Sequence, residues 1–495
     1  MVARKRTTRC LSPIDIRHSS SCGIPCLSRR DALVRLGSGF GGIALADLLR
    51  HSNAFAADAA NANLNGGLHH RAKVKRVVQL FMNGGVSQMD TFDYKPELEK
   101  RHGEQVDLGV KAAATSLPGA VMQSPFPFKQ YGECGRWVSD VLPHMAGIVD
   151  EVAFLMAMAS KTNVHGPASY LQNTGFLLPG FPSMGAWISY GLGNLTDNLP
   201  TFVVLPDPRG LPYNNLENFG TGFLPRQHQG TVVRPTSPTP IHDIAPPAFA
   251  KEITTASEAD GLKLLGSINA RHAERHPGDS RLEARIASYE LAAKMQLAAP
   301  EALDLSKESE ATHTAYGLDE KETADFGRNC LTARRLLERG VRFVQVWSGA
   351  GGPKDNWDNH SDIHTELPTI ARSVDRPTAA LVHDLKSRGM LEDTLVVWTT
   401  EFGRMPFTQG ATGRDHNGGT FVTWLAGAGI KPGVAYGQSD DFSLQAADGK
   451  TECYDLHATI LHLLGVDHTR LTYRHDGIDR RLTDVHGHVV REILA

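Results

Sequence analysis

Four short segments carry side chains that could hold a metal ion or move a proton, and each borders an apolar run. NGGVSQMDTFD, residues 83–93, supplies Asn83, Ser87, Asp90 and Asp93. DNWDNHSDIH, residues 355–364, supplies Asp358 and His360, with Asp355, Asp362 and His364 beside them. In extended chain, positions two apart project to the same side, so Asp358 and His360 can face one ion. VWTTEFGR, residues 397–404, sets Glu401 at the end of an apolar run, with Arg404 close behind. GRDHNGG, residues 413–419, adds Arg414, Asp415 and His416. A buried carboxylate is costly unless it is paired, and a metal ion would offset that cost for Glu401. Mixed Asp, Glu and His donors suit Zn or Mn, whereas an all-oxygen set would suit Ca or Mg.

Each residue also has a plainer reading. Asp and Asn in glycine-rich loops are ordinarily turn formers and helix caps, and that is the reading for Asp93, Asp355 and Asp362. A lone histidine is more often a surface or hydrogen-bonded residue than a ligand. His102, His144, His228, His383 and His462 therefore carry no functional assignment, and His457 is left open between core and cleft. The joint pattern of Asp-x-His, a Glu at a strand tip and Asp-His before another strand points to one shared site.

The elements that must position these residues alternate. β-branched and aromatic runs predict strands at 74–85 (with a sharp turn at its Asn-Gly-Gly tip), 152–158, 202–206, 341–347, 394–400 and 421–427. Helical spacing predicts helices at 137–151 (interrupted near Pro143), 166–174, 280–298, 322–339, 362–389 and 454–465. GRDHNGG reads as a tight loop, and residues 107–136 as loop with short edge strands. Strands alternating with helices imply an α/β domain over 74–495 with a mainly parallel central sheet flanked by helices, whose strand tips are the ligand-binding edge. An irregular Pro-, Gly- and Asn-rich insertion at about 207–250 could cover that edge.

The 495 residues are 41% hydrophobic and 21% charged, with a formal net charge of −3. That balance gives no electrostatic case for nucleic acid, and no apolar run is long enough for a membrane helix in the mature chain. The N-terminus reads as a leader. Arg29 and Arg30 precede a mildly apolar, glycine-rich stretch, and Ala54-Phe55-Ala56 makes a cleavage site. Residues 1–56 thus resemble a twin-arginine signal, with 57–73 as linker, which implies the export machinery as a partner and a periplasmic or extracellular location. Cys22 and Cys26 lack a second pair for a four-ligand site. After cleavage only Cys134, Cys330 and Cys453 remain, which is no disulfide framework.

KRVVQLFMNGGVSQMDTFDYKPEL, WDNH, DTLVVWTTEFGR and GRDHN resemble the domain of unknown function 1501 family, within the alkaline phosphatase and sulfatase superfamily. The stretches 316–347 and 455–477 are similar to it as well. The resemblance implies a sulfatase-like fold with metal ligands at strand tips. It places Asn83 where a first-strand Asp ligand is usual, with Asp90 as its substitute. It makes Asp358, His360, Glu401 and His416 the remaining ligands of a divalent ion (Zn, Mn or Ca).

HGPASYLQNTG, residues 165–175, is similar to the sulfatase signature, but His165 stands where the nucleophile should be and Ser169 where the arginine should be. Phe402 replaces a further ligand after the acid. Formylglycine chemistry is therefore not available. His165 is then a ligand or direct nucleophile, or an acid or base beside an activated water, the reading preferred here; or catalysis has been lost. Arg404 and Arg414 are expected to hold an ester's anionic oxygens, with Asn83, Ser87 and Asp415 completing the substrate side. The expected function is an exported metal-dependent hydrolase of sulfate or phosphate esters, with carbohydrate esters as a substrate class by analogy. The alternative is an exported anion- or glycan-binding protein with a vestigial metal site.

Overall fold

The computed structural model describes residues 68–110, 117–241, 255–276, 280–352 and 355–495. These all fall in the unit Asn61–Ala495. The leader at 1–56 and the first part of the linker lie outside the described residues.

A nine-stranded sheet forms the centre. Its strands are β1 (Arg76–Met82), β2 (Val152–Ala159), β3 (Phe202–Leu205), β4 (Thr231–Val232), β5 (Phe343–Ser348), β6 (Thr394–Thr399), β9 (Phe421–Gly427), β10 (Ala435–Tyr436) and β11 (Thr451–Glu452). Between β6 and β9 lies a separate hairpin of β7 (Gly403–Gln409) and β8 (Gly413–Asn417). The order across the sheet is β10-β2-β9-β6-β1-β5-β3-β4, with β11 pairing on β2. Neighbours pair in parallel except at β9, which is antiparallel to both β2 and β6.

That topology decides where the site forms. The C-terminal ends of β1, β2, β5 and β6 share one edge. Because β9 runs the other way, its N-terminal end arrives at the same edge and brings the β7–β8 hairpin with it.

Side chains alternate between two cores, as a sheet covered on both faces requires. Val78, Leu80, Val344, Val346, Val396 and Trp398 pack on α3 (Ala324–Glu338) and α4 (Ile363–Ser387). Val77, Phe81, Phe343, Trp347, Leu395 and Val397 pack on α2 (Met184–Leu192) and α5 (Cys453–Leu463). In α4 the buried Ile363, Leu367, Ile370, Ala371 and Val374 recur at helical spacing.

The helix α1 (His165–Thr174) docks by polar groups instead. Gln172 Nε2 donates to Thr399 Oγ1 (3.1 Å), and Gln345 Nε2 donates to Asn173 Oδ1 (2.7 Å). Buried polar groups persist only with such partners, so these bonds fix where the first residue of α1, His165, sits.

Three expectations change. The helix expected at 137–151 is instead a strand, Arg136–Ser139, paired with Phe128–Tyr131, then a 3-10 turn at Met145–Glu151. Pro143 removes a backbone donor and pushes its predecessor out of the helical region, and Ser139 N–H finds Thr91 O. GRDHN is a strand rather than a loop, because it pairs with β7. The described part of the insertion holds 3-10 turns at Asn215–Phe219 and Arg226–His228, and β4 extends the sheet on β3. Residues 242–250 of the insertion lie outside the described residues. At the other end, His69, His70, Lys73 and Val74 donate backbone N–H groups to Leu463 O and Gly465 O, which ties residues 69–74 to the end of α5.

Candidate metal centre

Asp358 is the hub. It follows Trp357, whose N–H donates to Asn83 O (3.0 Å) and whose indole donates to Ser348 Oγ (3.1 Å). The loop is thereby pinned to the tips of β1 and β5. Asp358 Oδ1 lies 2.7 Å from His360 Nε2, 3.0 Å from His416 Nε2 and 3.2 Å from His165 Nε2. It also accepts from Arg404 Nη2 at 2.6 Å. Ligand atoms of His165, Asp358, His360 and His416 all lie within 4.8 Å of one another.

The imidazoles have defined roles. His416 Nδ1 faces Asn163 O at 2.9 Å, and His360 Nδ1 faces Gln409 Oε1. A ring nitrogen facing a carbonyl oxygen must carry the proton, which leaves a lone pair on the other nitrogen. The two Nε2 atoms are 2.7 Å apart. Two lone pairs and a carboxylate oxygen converging on one point suit a cation, and outer carbonyl partners of this kind orient metal-binding histidines. The donor set therefore fits a divalent ion such as Zn or Mn.

Glu401, wholly buried just past β6, sits behind His165. Its Oε1 accepts from His165 Nδ1 (2.8 Å) and from Gly84 N–H (2.8 Å), and its Oε2 accepts from Thr400 Oγ1 (3.1 Å). Those bonds answer the cost of burying the acid. They also aim His165 Nε2, a buried atom 3.2 Å from Asp358 Oδ1, at the cluster. Gly84 is required here: its φ is +123°, and a Cβ would stand 2.6 Å from Trp357 N.

Apolar walls close the pocket. Tyr213 stacks on His165 at 4.4 Å between centroids, and Phe402 packs on His165 and His416 at 4.8 Å each. Burial pushes the Tyr213 hydroxyl up to about 12, aided by Asp358 and Glu401. Burial also holds His416 down to about 4. It opposes charge on His165 too, but Asp358 and Glu401 outweigh it and raise that histidine. In Asp358 burial is likewise overcome, by Arg404 and the three histidines, which hold it far below the usual carboxylate range.

The structure thus brings together Asp358, His360, His416, His165, Glu401 and Arg404. Glu401 is expected as a ligand from the sequence; here it stands behind His165. The guanidinium of Arg404 is wholly buried and committed to protein acceptors, so it is not presented to an ester.

Asp90 does not join the cluster. It forms a fully buried pair with Arg414, with Nε to Oδ2 at 2.6 Å and Nη2 to Oδ1 at 3.1 Å, and it also accepts from Ser87 Oγ. The same arginine donates to Met405 O and Met122 O. Ser87, Asp90 and Arg414 therefore hold the β7–β8 hairpin against the loop after β1. The Asn83 amide donates to Gly349 O and Ala350 O and bridges two strand tips. Asp415 accepts the His416 N–H at 2.7 Å. Asp362 caps α4, and Asp93 takes Ser439, Ser443 and Lys95. His457 faces the core, with Nε2 on Gln172 O.

Sequence reasoning missed Tyr213, Gln409 and the carbonyl of Asn163. Only Tyr213 had a signal, its place in an insertion expected to cover the edge.

Solved structures similar to the chain include the lipoteichoic acid synthase LtaP from Listeria monocytogenes, at 10% identity over 82% of this chain and 78% of that one, TM-score 0.34. Another is the PsFucS1 sulfatase from Pseudoalteromonas sp., at 14% identity over 86% and 77%, TM-score 0.34. A third is the alkaline phosphatase of the Antarctic bacterium TAB5, at 9% identity over 79% and 98%, TM-score 0.35. No curated protein matches the chain. The family described as protein of unknown function, DUF1501, matches residues 74–494, and the chain belongs to that family.

Proposed function

We propose that the protein is a metal-dependent hydrolase of sulfate or phosphate esters, with the ion held by Asp358, His360 and His416. The reading rests on one observation: the two Nε2 atoms stand 2.7 Å apart, each ring held by an oxygen on its Nδ1, beside Asp358 Oδ1. When bound, a divalent ion supplies positive charge against an ester's anionic oxygens and polarises a reacting oxygen. His165 supplies the proton chemistry. Glu401 holds its Nδ1–H, so Nε2 is the atom that takes or gives a proton. Phe402 and Tyr213 exclude water around that atom and strengthen its electrostatic contacts.

The proposal includes export before action, through a twin-arginine leader at 1–56 and its export machinery. Residues 1–56 lie outside the described residues, and the support is their sequence alone. Among the described residues, no helix is long and apolar enough to cross a membrane.

The test is turnover of an aryl phosphate and an aryl sulfate by the metal-loaded chain. His165→Ala is expected to lower kcat by at least about 100-fold while leaving metal content intact. Full metal content with no turnover across an ester panel, including sulfated sugars, would favour the anion- or glycan-binding alternative.

A further inference from the structure

Arg404 is wholly buried beside the cluster, and all three of its nitrogens donate to oxygen acceptors. Nε donates to Gly85 O at 2.7 Å. Nη1 donates to Arg414 O at 3.1 Å and lies 3.4 Å from His360 Nε2. Nη2 meets Gly84 O, Trp357 O at 3.2 Å and Asp358 Oδ1 at 2.6 Å. The guanidinium is therefore enclosed by four backbone carbonyl oxygens and one carboxylate oxygen. These are the donor types a hard divalent cation takes, here spread around a planar guanidinium. The carboxylate oxygen is the same Asp358 Oδ1 that meets the three histidines.

We propose that the Arg404 guanidinium is a built-in cation standing where a second ion would sit, so that this centre takes a single divalent ion. The inference rests on the metal reading of the cluster and specifies its stoichiometry. Charge supports it. Asp358 and Glu401 are the carboxylates at the cluster, and Arg404 with one divalent ion already exceeds their charge. A second ion would add two more positive charges beside Arg404, beyond what Asp358 and Glu401 offset. Space supports it equally, because the oxygen cage is filled. A guanidinium also does what a second ion would not: its planar donors fix the directions of Asp358 and of the Gly84–Gly85 turn, and it cannot be lost to a chelator.

Two measurements decide this. The full chain is stripped with chelator, titrated with Mn²⁺, and read by metal analysis and electron paramagnetic resonance. One Mn²⁺ per chain with an uncoupled six-line signal is expected, lost in His416→Ala. Two Mn²⁺ per chain with a spin-coupled signal overturn the inference and leave the metal reading standing. No stoichiometric Mn²⁺ overturns both.

The second measurement uses Arg404→Ala, which empties the cage. Its melting temperature is expected to rise by a few degrees with millimolar guanidinium and not with urea, a neutral molecule of the same shape, while the parent chain shows no rise with either. An equal response to urea and guanidinium overturns the assignment of Arg404 as a required charge. If the variant does not fold, the stoichiometry of the parent chain still decides.

Discussion

His360 and His416 each have one nitrogen already engaged, and that is what gives the other its chemistry. Asn163 O and Gln409 Oε1 hold the Nδ1 protons and leave two Nε2 lone pairs facing each other. Gln409→Ala should therefore weaken metal binding by about 10- to 100-fold without touching a ligand, as outer partners of metal-bound histidines do. Competition against a chromophoric chelator measures it. Glu401→Ala should behave differently. It leaves Gly84 N–H and His165 Nδ1–H buried without their acceptor, at a cost of about 2–4 kcal/mol in unfolding free energy. Glu401→Gln, which keeps an oxygen there, should retain most of that stability but lose turnover. Urea titration of both variants separates the two effects.

At the level of elements, the site depends on a turn and on a reversed strand. Gly84 lets the chain leave β1 sharply enough for Trp357 to pass against its backbone. Gly413 lets β8 approach His360 O, where a Cβ would stand at 1.7 Å. Gly84→Ala should cost more than about 3 kcal/mol and abolish metal uptake, since both φ and space are violated. Much of this level could be read from the chain alone. The strands at 76–82, 394–399 and 421–427 stand out because β-branched and aromatic residues cover both faces. The hairpin at 403–417 was not legible: GRDHN has turn-forming composition, and only its pairing partner makes it a strand. From the sequence Asp90 is expected as a metal ligand and Arg414 as a holder of anionic oxygens, roles their residue types allow. Composition cannot say that they would spend that capacity on each other, across 324 positions of sequence. Arg404 shows the same blindness, since its acceptors are mostly backbone carbonyls that every residue possesses.

Across the whole molecule, buried histidines set a pH limit separate from the metal. His457 is fully buried in α5, with Nε2 on Gln172 O and no partner for Nδ1. Burial lowers it to about 4, against an ordinary value of 6.5. A group depressed in the folded state is protonated first in the unfolded chain. Stability is therefore present above pH 6.5 and falls as pH drops toward 4, by roughly 3 kcal/mol from this residue. Chemical denaturation of the metal-free chain at pH 7 and pH 5 should show the loss, and His457→Gln should lose less between those two values.

The whole-molecule architecture was the most legible layer, because alternating apolar runs fix an α/β sheet. The meeting of residues 165, 358, 360, 401 and 416 follows from that sheet once β9 is reversed. The most direct measurement of the central claim is anomalous diffraction from crystals grown with Mn²⁺ or Zn²⁺. A peak between His360 Nε2, His416 Nε2 and Asp358 Oδ1 is predicted. Two histidines joined only by a shared proton, with the ion elsewhere or absent, would contradict it.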